Sequence, residues 1–117
     1  MLNKILLSLA IVVSPLSASA AWMKCTVDSV AELDKLRLQL MCKESVSDAG
    51  VSVSTFAIGY GSTATETARA ARFFTMAQTA LASGKPLGVY FTSGAVSSAI
   101  NCTGTCRVID GFQLYGQ

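Results

Sequence analysis

The chain has 117 residues, 51% of them hydrophobic, with four cysteines, no histidine, and nine basic against seven acidic side chains for a net charge of +2. The lack of histidine removes the common catalytic triads, the Cys–His nucleophile pair and the commonest general base. The near-neutral charge, with no run of either sign, points away from nucleic-acid binding, which concentrates basic residues in a patch.

Residues Met1 to Ala20 read as a secretion signal. Lys4 forms the charged n-region, Ile5 to Val13 the apolar h-region, and Ala18-Ser19-Ala20 the small-residue cleavage site. The apolar stretch is shorter than the about 20 residues that span a bilayer. Cys25 follows Met23-Lys24 and no lipobox precedes it. The expectation is a bacterial protein, secreted or periplasmic, with no membrane span. The roughly 97 residues after Ala20 make one domain, small enough to need covalent staples. Cysteines in an oxidising compartment supply them. Three connectivities are open by count, and the strand pattern favours Cys25–Cys42 and Cys102–Cys106. The cysteine spacing lacks the two close pairs of a zinc site, so neither metal nor cofactor is expected.

From Trp22 to Lys43 the hydrophobic pattern has period two. Leu36, Leu38, Leu40 and Cys42 alternate with Arg37, Gln39, Met41 and Lys43, while Cys25, Val27, Ser29 and Ala31 share one parity. A hairpin turning at Leu33-Asp34 sets Cys25 opposite Cys42, Val27 opposite Leu40 and Glu32 opposite Lys35. Ser45 to Gly50 is a polar turn, and the β-branched run Val51 to Tyr60 is a third strand. Gly59 and Gly61 end that strand. Thr63-Ala-Thr-Glu66 is a capping box that opens a helix. Ala70, Phe73, Phe74, Ala77, Ala80 and Leu81 form its core stripe, and Ser83-Gly84-Lys85-Pro86 stops it. Its other face, with Arg69, Arg72, Thr75, Met76, Thr79 and Ala82, is neither a charged solvent face nor an apolar one, and suits contact with another chain. Leu87 to Thr92 is a fourth strand, Asn101 to Cys106 a cysteine-closed turn, and Arg107 to Tyr115 the last strand. This β-β-β-α-β-β order predicts a mainly β protein with one helix, a small five-stranded OB-fold barrel.

Gly59-Tyr60-Gly61-Ser62-Thr63 precedes the helix in the manner of an anion site, but lacks the lysine and spacing of a phosphate loop and reads as a capped strand-to-helix turn. Asp28, Glu32, Asp34, Glu44, Asp48, Glu66 and Asp110 offer carboxylates for glycoside hydrolysis, yet no motif pairs two of them. No catalytic residue is therefore assigned, and a non-enzymatic role is expected. Asn101-Cys102-Thr103 matches a glycosylation sequon by chance. Trp22 is read as a plug over one barrel end in preference to a stacking platform for a sugar ring. Hydroxyls and aromatics at Ser52, Ser54, Tyr60 and Tyr90 are the candidate ligand contacts.

The start at Trp22 after Ala-Ser-Ala, and the block Ala77 to Phe91 with Ser83-Gly84-Lys85-Pro86-Leu87 leading into Val89-Tyr90-Phe91, resemble the binding subunits of subtilase cytotoxin and typhoid toxin, in the pentameric bacterial toxin B-subunit superfamily. The match covers about twenty to thirty residues, with the strand and helix order shared beyond it. The resemblance implies a homopentamer with helices around a central pore, a host cell-surface glycan as ligand, and a toxic catalytic subunit docked on one face. The family's tyrosine on the fourth strand falls at Phe91, beside Tyr90. Arg69, Arg72, Thr75, Met76 and Thr79 are the corresponding candidates for an oligomer interface. The alternative is a monomeric periplasmic or secreted OB-fold module binding a protein or small ligand, because the scaffold by itself does not decide function.

Overall fold

A computed structural model describes residues 20–33 and 36–115. The expected secretion signal, apart from its last residue, lies outside them, as do Asp34 and Lys35 and with them the expected Glu32–Lys35 pair. The described residues form seven strands and one long helix: β1 (Ala20–Cys25), β2 (Val27–Leu33), β3 (Arg37–Asp48), β4 (Val51–Gly59), α1 (Ala64–Ser83), β5 (Leu87–Thr92), β6 (Cys106–Val108) and β7 (Gly111–Leu114), with a turn of 3-10 helix at Ser98–Ile100. They make two sheets, one of order β1-β5-β7 and one of order β2-β3-β4-β6, in which β4 and β6 run parallel.

The mainly β architecture with one helix follows the sequence expectation, but the single closed barrel of five strands does not. Two of the five expected runs bend, and each contributes a segment to both sheets. The first bend is at Thr26, between β1 and β2. The second falls between β6 and β7, where consecutive amides part company. The Ile109 N–H donates to the Ala57 carbonyl of one sheet at 2.9 Å and the Asp110 N–H to the Tyr90 carbonyl of the other at 2.8 Å. The inward parity shifts by one residue across each bend, from Cys25 and Val27 to Val30 and from Ile109 to Phe112 and Leu114, so the face expected to hold Ser29 and Ala31 is not the one that packs on the core.

The same bend corrects the hairpin register. Cys25 is bonded to Cys42 as expected, with Cα atoms 5.2 Å apart. However, β2 and β3 pair as Val27 with Cys42, Val30 with Leu40 and Leu33 with Arg37, with a bulge between Val27 and Ser29. Cys25 reaches Cys42 from the end of the neighbouring sheet, not from the facing position on the same one. Hydrogen bonds brace this corner. The Thr26 N–H and hydroxyl donate to the two Glu44 carboxylate oxygens at 2.7 and 2.5 Å, and the Lys43 N–H to the Thr26 carbonyl at 2.9 Å. Burial acts to raise the Glu44 pKa, but the bonds from Thr26 outweigh it and hold it below the ordinary carboxylate value.

The expected polar turn at Ser45 to Gly50 contracts to Ala49-Gly50, because β3 continues to Asp48 past a bulge. Both turn residues have positive φ, which gives the hairpin connection whose twist matches its strands. Thr63 caps α1 by accepting the Glu66 N–H at 3.0 Å, while Glu66 reaches back to the Ser62 N–H at 3.1 Å, one residue before the expected one. Gly84, at φ 76°, ends the helix. Ala70, Phe73, Ala77 and Ala80 are buried, with Phe74 partly so, but Leu81 is 46% exposed and leaves the expected stripe. The three buried alanines let the helix backbone settle close to the strands, where it contacts both β2 and β7. The core beneath it gathers Leu40, Phe56, Leu87, Val89 and Ile109 from both sheets.

Two buried arginines hold the loop that precedes β6. Arg107 donates to Asp48 at 2.6 Å and to the carbonyls of Gly104 and Cys106, while Asp48 also accepts from the Ser93 hydroxyl and the Gly94 N–H. Arg37 donates to the carbonyls of Ile100 and Asn101 and to the Gln39 side chain, and its Nε has no partner among the described residues. The Cys102–Cys106 bond closes the loop over Ala57, as expected.

Two outcomes follow from this frame. The Cys25–Cys42 bond spans 17 positions and the Cys102–Cys106 bond 4, so pairwise serine replacement of the first lowers the melting temperature more than that of the second. The bonds to Arg107, then to Ser93 and Gly94, hold the Asp48 carboxyl at about 2, below its ordinary value. A carboxylate depressed in the folded state adds stability that is complete above its unfolded pKa near 3.8 and lost as pH falls toward about 2. Asp48→Asn should cost roughly 3 kcal/mol at neutral pH and flatten the fall in denaturant midpoint across that acid window.

Candidate functional site

Strand register places Trp22 beside Tyr90 and Tyr90 beside Gly111, and one pair along, Lys24 beside Gly88 and Gly88 beside Gln113. Val89, Leu87 and Phe91 take the other parity and enter the core. Trp22 and Tyr90 therefore stand on the outer face of the β1-β5-β7 sheet. Trp22 is 49% exposed, and its ring centroid lies 5.0 Å from that of Tyr90 at a tilt of 45°. The plug reading of Trp22 is thereby corrected: the indole stands on the outer face of a sheet, against Gly88 and Gly111.

Glycine makes that posture attainable. A Cβ at Gly88 would stand 3.0 Å from the Tyr115 ring and 3.2 Å from the Trp22 ring, and one at Gly111 would meet Tyr90 at 3.4 Å. Three aromatic side chains thus lie over bare backbone and shield it, as rings do beside glycine in a sheet. The Lys24 ammonium sits 5.3 Å from the Tyr115 centroid. Exposed Gln113 and the Thr92 hydroxyl, which donates to Asp110 at 2.6 Å, add polar groups nearby. The result is a shallow apolar shelf with donors and acceptors about it, suited to a ligand that has one apolar face and polar edges.

Of the four candidate ligand contacts, only Tyr90 belongs to this shelf. Ser52, opposite Ser47, and half-buried Ser54 lie along β4 toward its hairpin with β3. Tyr60 lies beyond the other end of β4 and donates its hydroxyl to Glu32 at 2.5 Å. That bond, with lesser contributions from burial and the Glu32 charge, raises the phenol pKa. Tyr60 lines a hollow of about 200 Å³ with Glu32, Leu38 and Phe74, and another of about 310 Å³ with Leu36, Glu66 and Ile100. The candidate interface on α1 also divides. Arg69 reaches across the surface to β7, donating to the Asp110 carbonyl at 2.6 Å with its guanidinium 5.7 Å from the Phe112 centroid. Arg72, Thr75 and Met76 line a hollow on the helix surface, and Thr79 is exposed.

Sequence reading did not select Lys24, Gly88, Gly111, Gln113 or Tyr115. A signal existed for part of the set: Trp22, Gly88 and Tyr90 all fall on the outward parity of their strands, and glycine opposite aromatic is a recurrent surface pairing. Relating β1 to β7 required the sheet order, which the sequence does not state.

Among the described residues, no helix is long and apolar enough to cross a membrane, and no three potential metal-ligating side chains cluster. The chain matches no protein-family model and no curated protein sequence.

Proposed function

We propose that this chain is a non-enzymatic, exported binding subunit whose ligand is a cell-surface glycan, stacked on the shelf of Trp22, Tyr90 and Tyr115. The observation that carries the reading is the half-exposed indole of Trp22 lying over Gly88. A large aromatic ring left half exposed on a sheet surface contributes little to the core, and it matches the apolar C–H face of a pyranose. The polar groups of Lys24, Gln113 and Thr92 stand within the same face for the hydroxyls. The two disulfides are compatible with a secreted or periplasmic location.

The order of pairings supports an OB-like reading of the fold. If β1 with β2, and β6 with β7, count as single bent strands, the helix falls between the third and fourth of five, and the third and fifth run parallel. With the resemblance of Ala77 to Phe91 to pentameric toxin binding subunits, this extends the proposal to a ring of five. Arg72, Thr75, Met76 and Thr79 of α1 would face neighbouring copies, and a toxic catalytic subunit would dock on the ring. Light scattering on the oxidised protein tests the assembly: a five-fold native mass supports it, and a monomer at all concentrations removes the ring while leaving the shelf.

Trp22 is the chain's single tryptophan, so its fluorescence reports directly on the shelf. Titration with glycans that bind an immobilised panel should quench or shift its emission. Trp22→Ala should lower retention on the panel about ten-fold or more with little change in melting temperature. Gly88→Ala should lift the rings, shift Trp22 emission to the red and weaken binding. Unchanged retention by Trp22→Ala would remove the shelf as the binding site.

A further inference from the structure

The two hollows beside Tyr60 lie on a different part of the molecule from the aromatic shelf and have a different chemistry. Leu38, Ala70 and Phe74 give the smaller one an apolar floor, and Leu36, Ile100 and Val108 do so for the larger. The charged side chains lining them, among the described residues, are Glu32 and Glu66, with no basic group. Tyr60 lines both hollows, its ring held in place by the bond from its hydroxyl to Glu32.

The start of α1 would ordinarily invite an anion, since helix N-termini present unpaired N–H groups. Here the Glu66 N–H of the first turn and the two N–H groups just before the cap are already taken. The Gly61 N–H donates to the Thr67 hydroxyl, the Ser62 N–H to Glu66, and the Glu66 N–H to Thr63. The Glu66 carboxylate stands beside the helix start, and with Glu32 it makes the described lining of the hollows unfavourable to negative charge.

We propose that the trough on either side of Tyr60 is a binding site for a small cationic ligand with an apolar ring and an ammonium group. The ring rests on Leu36, Ile100 and Val108. The ammonium is attracted by the Tyr60 π face and by the flanking carboxylates of Glu32 and Glu66. Gly59 keeps the larger hollow open: a Cβ there would stand 3.1 Å from Ile100. The volumes of about 200 and 310 Å³ fit a ring system with a short side chain.

Matched indole probes test the idea by amide chemical shift titration of the oxidised protein at low salt. Tryptamine should shift the amides of Gly59, Tyr60, Ser62 and Ile100 saturably, and indole-3-acetate at the same concentrations should not. Glu32→Gln and Glu66→Gln keep the acceptors for Tyr60 and Ser62, so the fold is retained. Together they should weaken tryptamine binding about five-fold, while Tyr60→Phe, which keeps the ring, retains most of it. Equal shifts from indole-3-acetate, full affinity in the double glutamine variant, or shifts confined to residues around Trp22 and Tyr90 would each overturn the assignment.

Discussion

The turn of the chain at Thr26 is the constraint from which the rest of the molecule is arranged. One residue before it belongs to one sheet and one after it to the other. Left to backbone preference, a run of alternating residues from Trp22 to Leu33 would stay in one plane. The disulfide from Cys25 to Cys42 and the paired bonds from Thr26 to Glu44 hold it out of plane. Among the described residues β1 is an edge strand bonded only to β5, and this corner is its second attachment. The position of Trp22 and Lys24 therefore depends on a covalent bond three residues or fewer away.

The loop that precedes β6 is held by buried charged side chains. The loop from Ser93 to Cys106 contains little regular structure and must present its carbonyls somewhere other than a ladder. Arg37 takes those of Ile100 and Asn101, and Arg107 takes those of Gly104 and Cys106. Of the two, only Arg107 has a carboxylate partner among the described residues, in Asp48. Arg37 is buried against neutral acceptors, an arrangement that exchanges hydration of a full charge for several strong donors in a fixed fork. The short disulfide then locks a loop that the arginines have already positioned.

What the sequence disclosed and what it withheld divide along physical lines. Local signals were legible: the Thr63 cap, the Gly84 stop, the buried face of Ala70, Phe73, Ala77 and Ala80, the alternation of β5 and both disulfides. Long-range consequences were not. The Cys25–Cys42 pair was inferred from a register that the bulge at Val27 and the bend at Thr26 contradict, so the bond was right while its neighbours were displaced. The last strand reads as one run of alternating residues, but the Ile109 and Asp110 amides turn to different sheets and the inward parity shifts from Ile109 to Phe112 and Leu114. Of the candidate site, residue type alone points to Tyr90, whereas the expectation that Trp22 plugs a barrel end leads away from the shelf. Tyr115 and the two glycines needed knowledge of which strands are neighbours.

Parity in the three-stranded sheet carries a final consequence. Leu87, Val89 and Phe91 point one way and support the fold, while Trp22, Lys24, Gly88, Tyr90 and Gln113 point the other and support none of its core. The two sets interleave residue by residue, yet they answer to separate demands. Mutation can rewrite the outward set while the inward set stays under selection for packing. Such a face diverges quickly between descendants of one ancestor, and chains alike in their interior can come to recognise unrelated molecules.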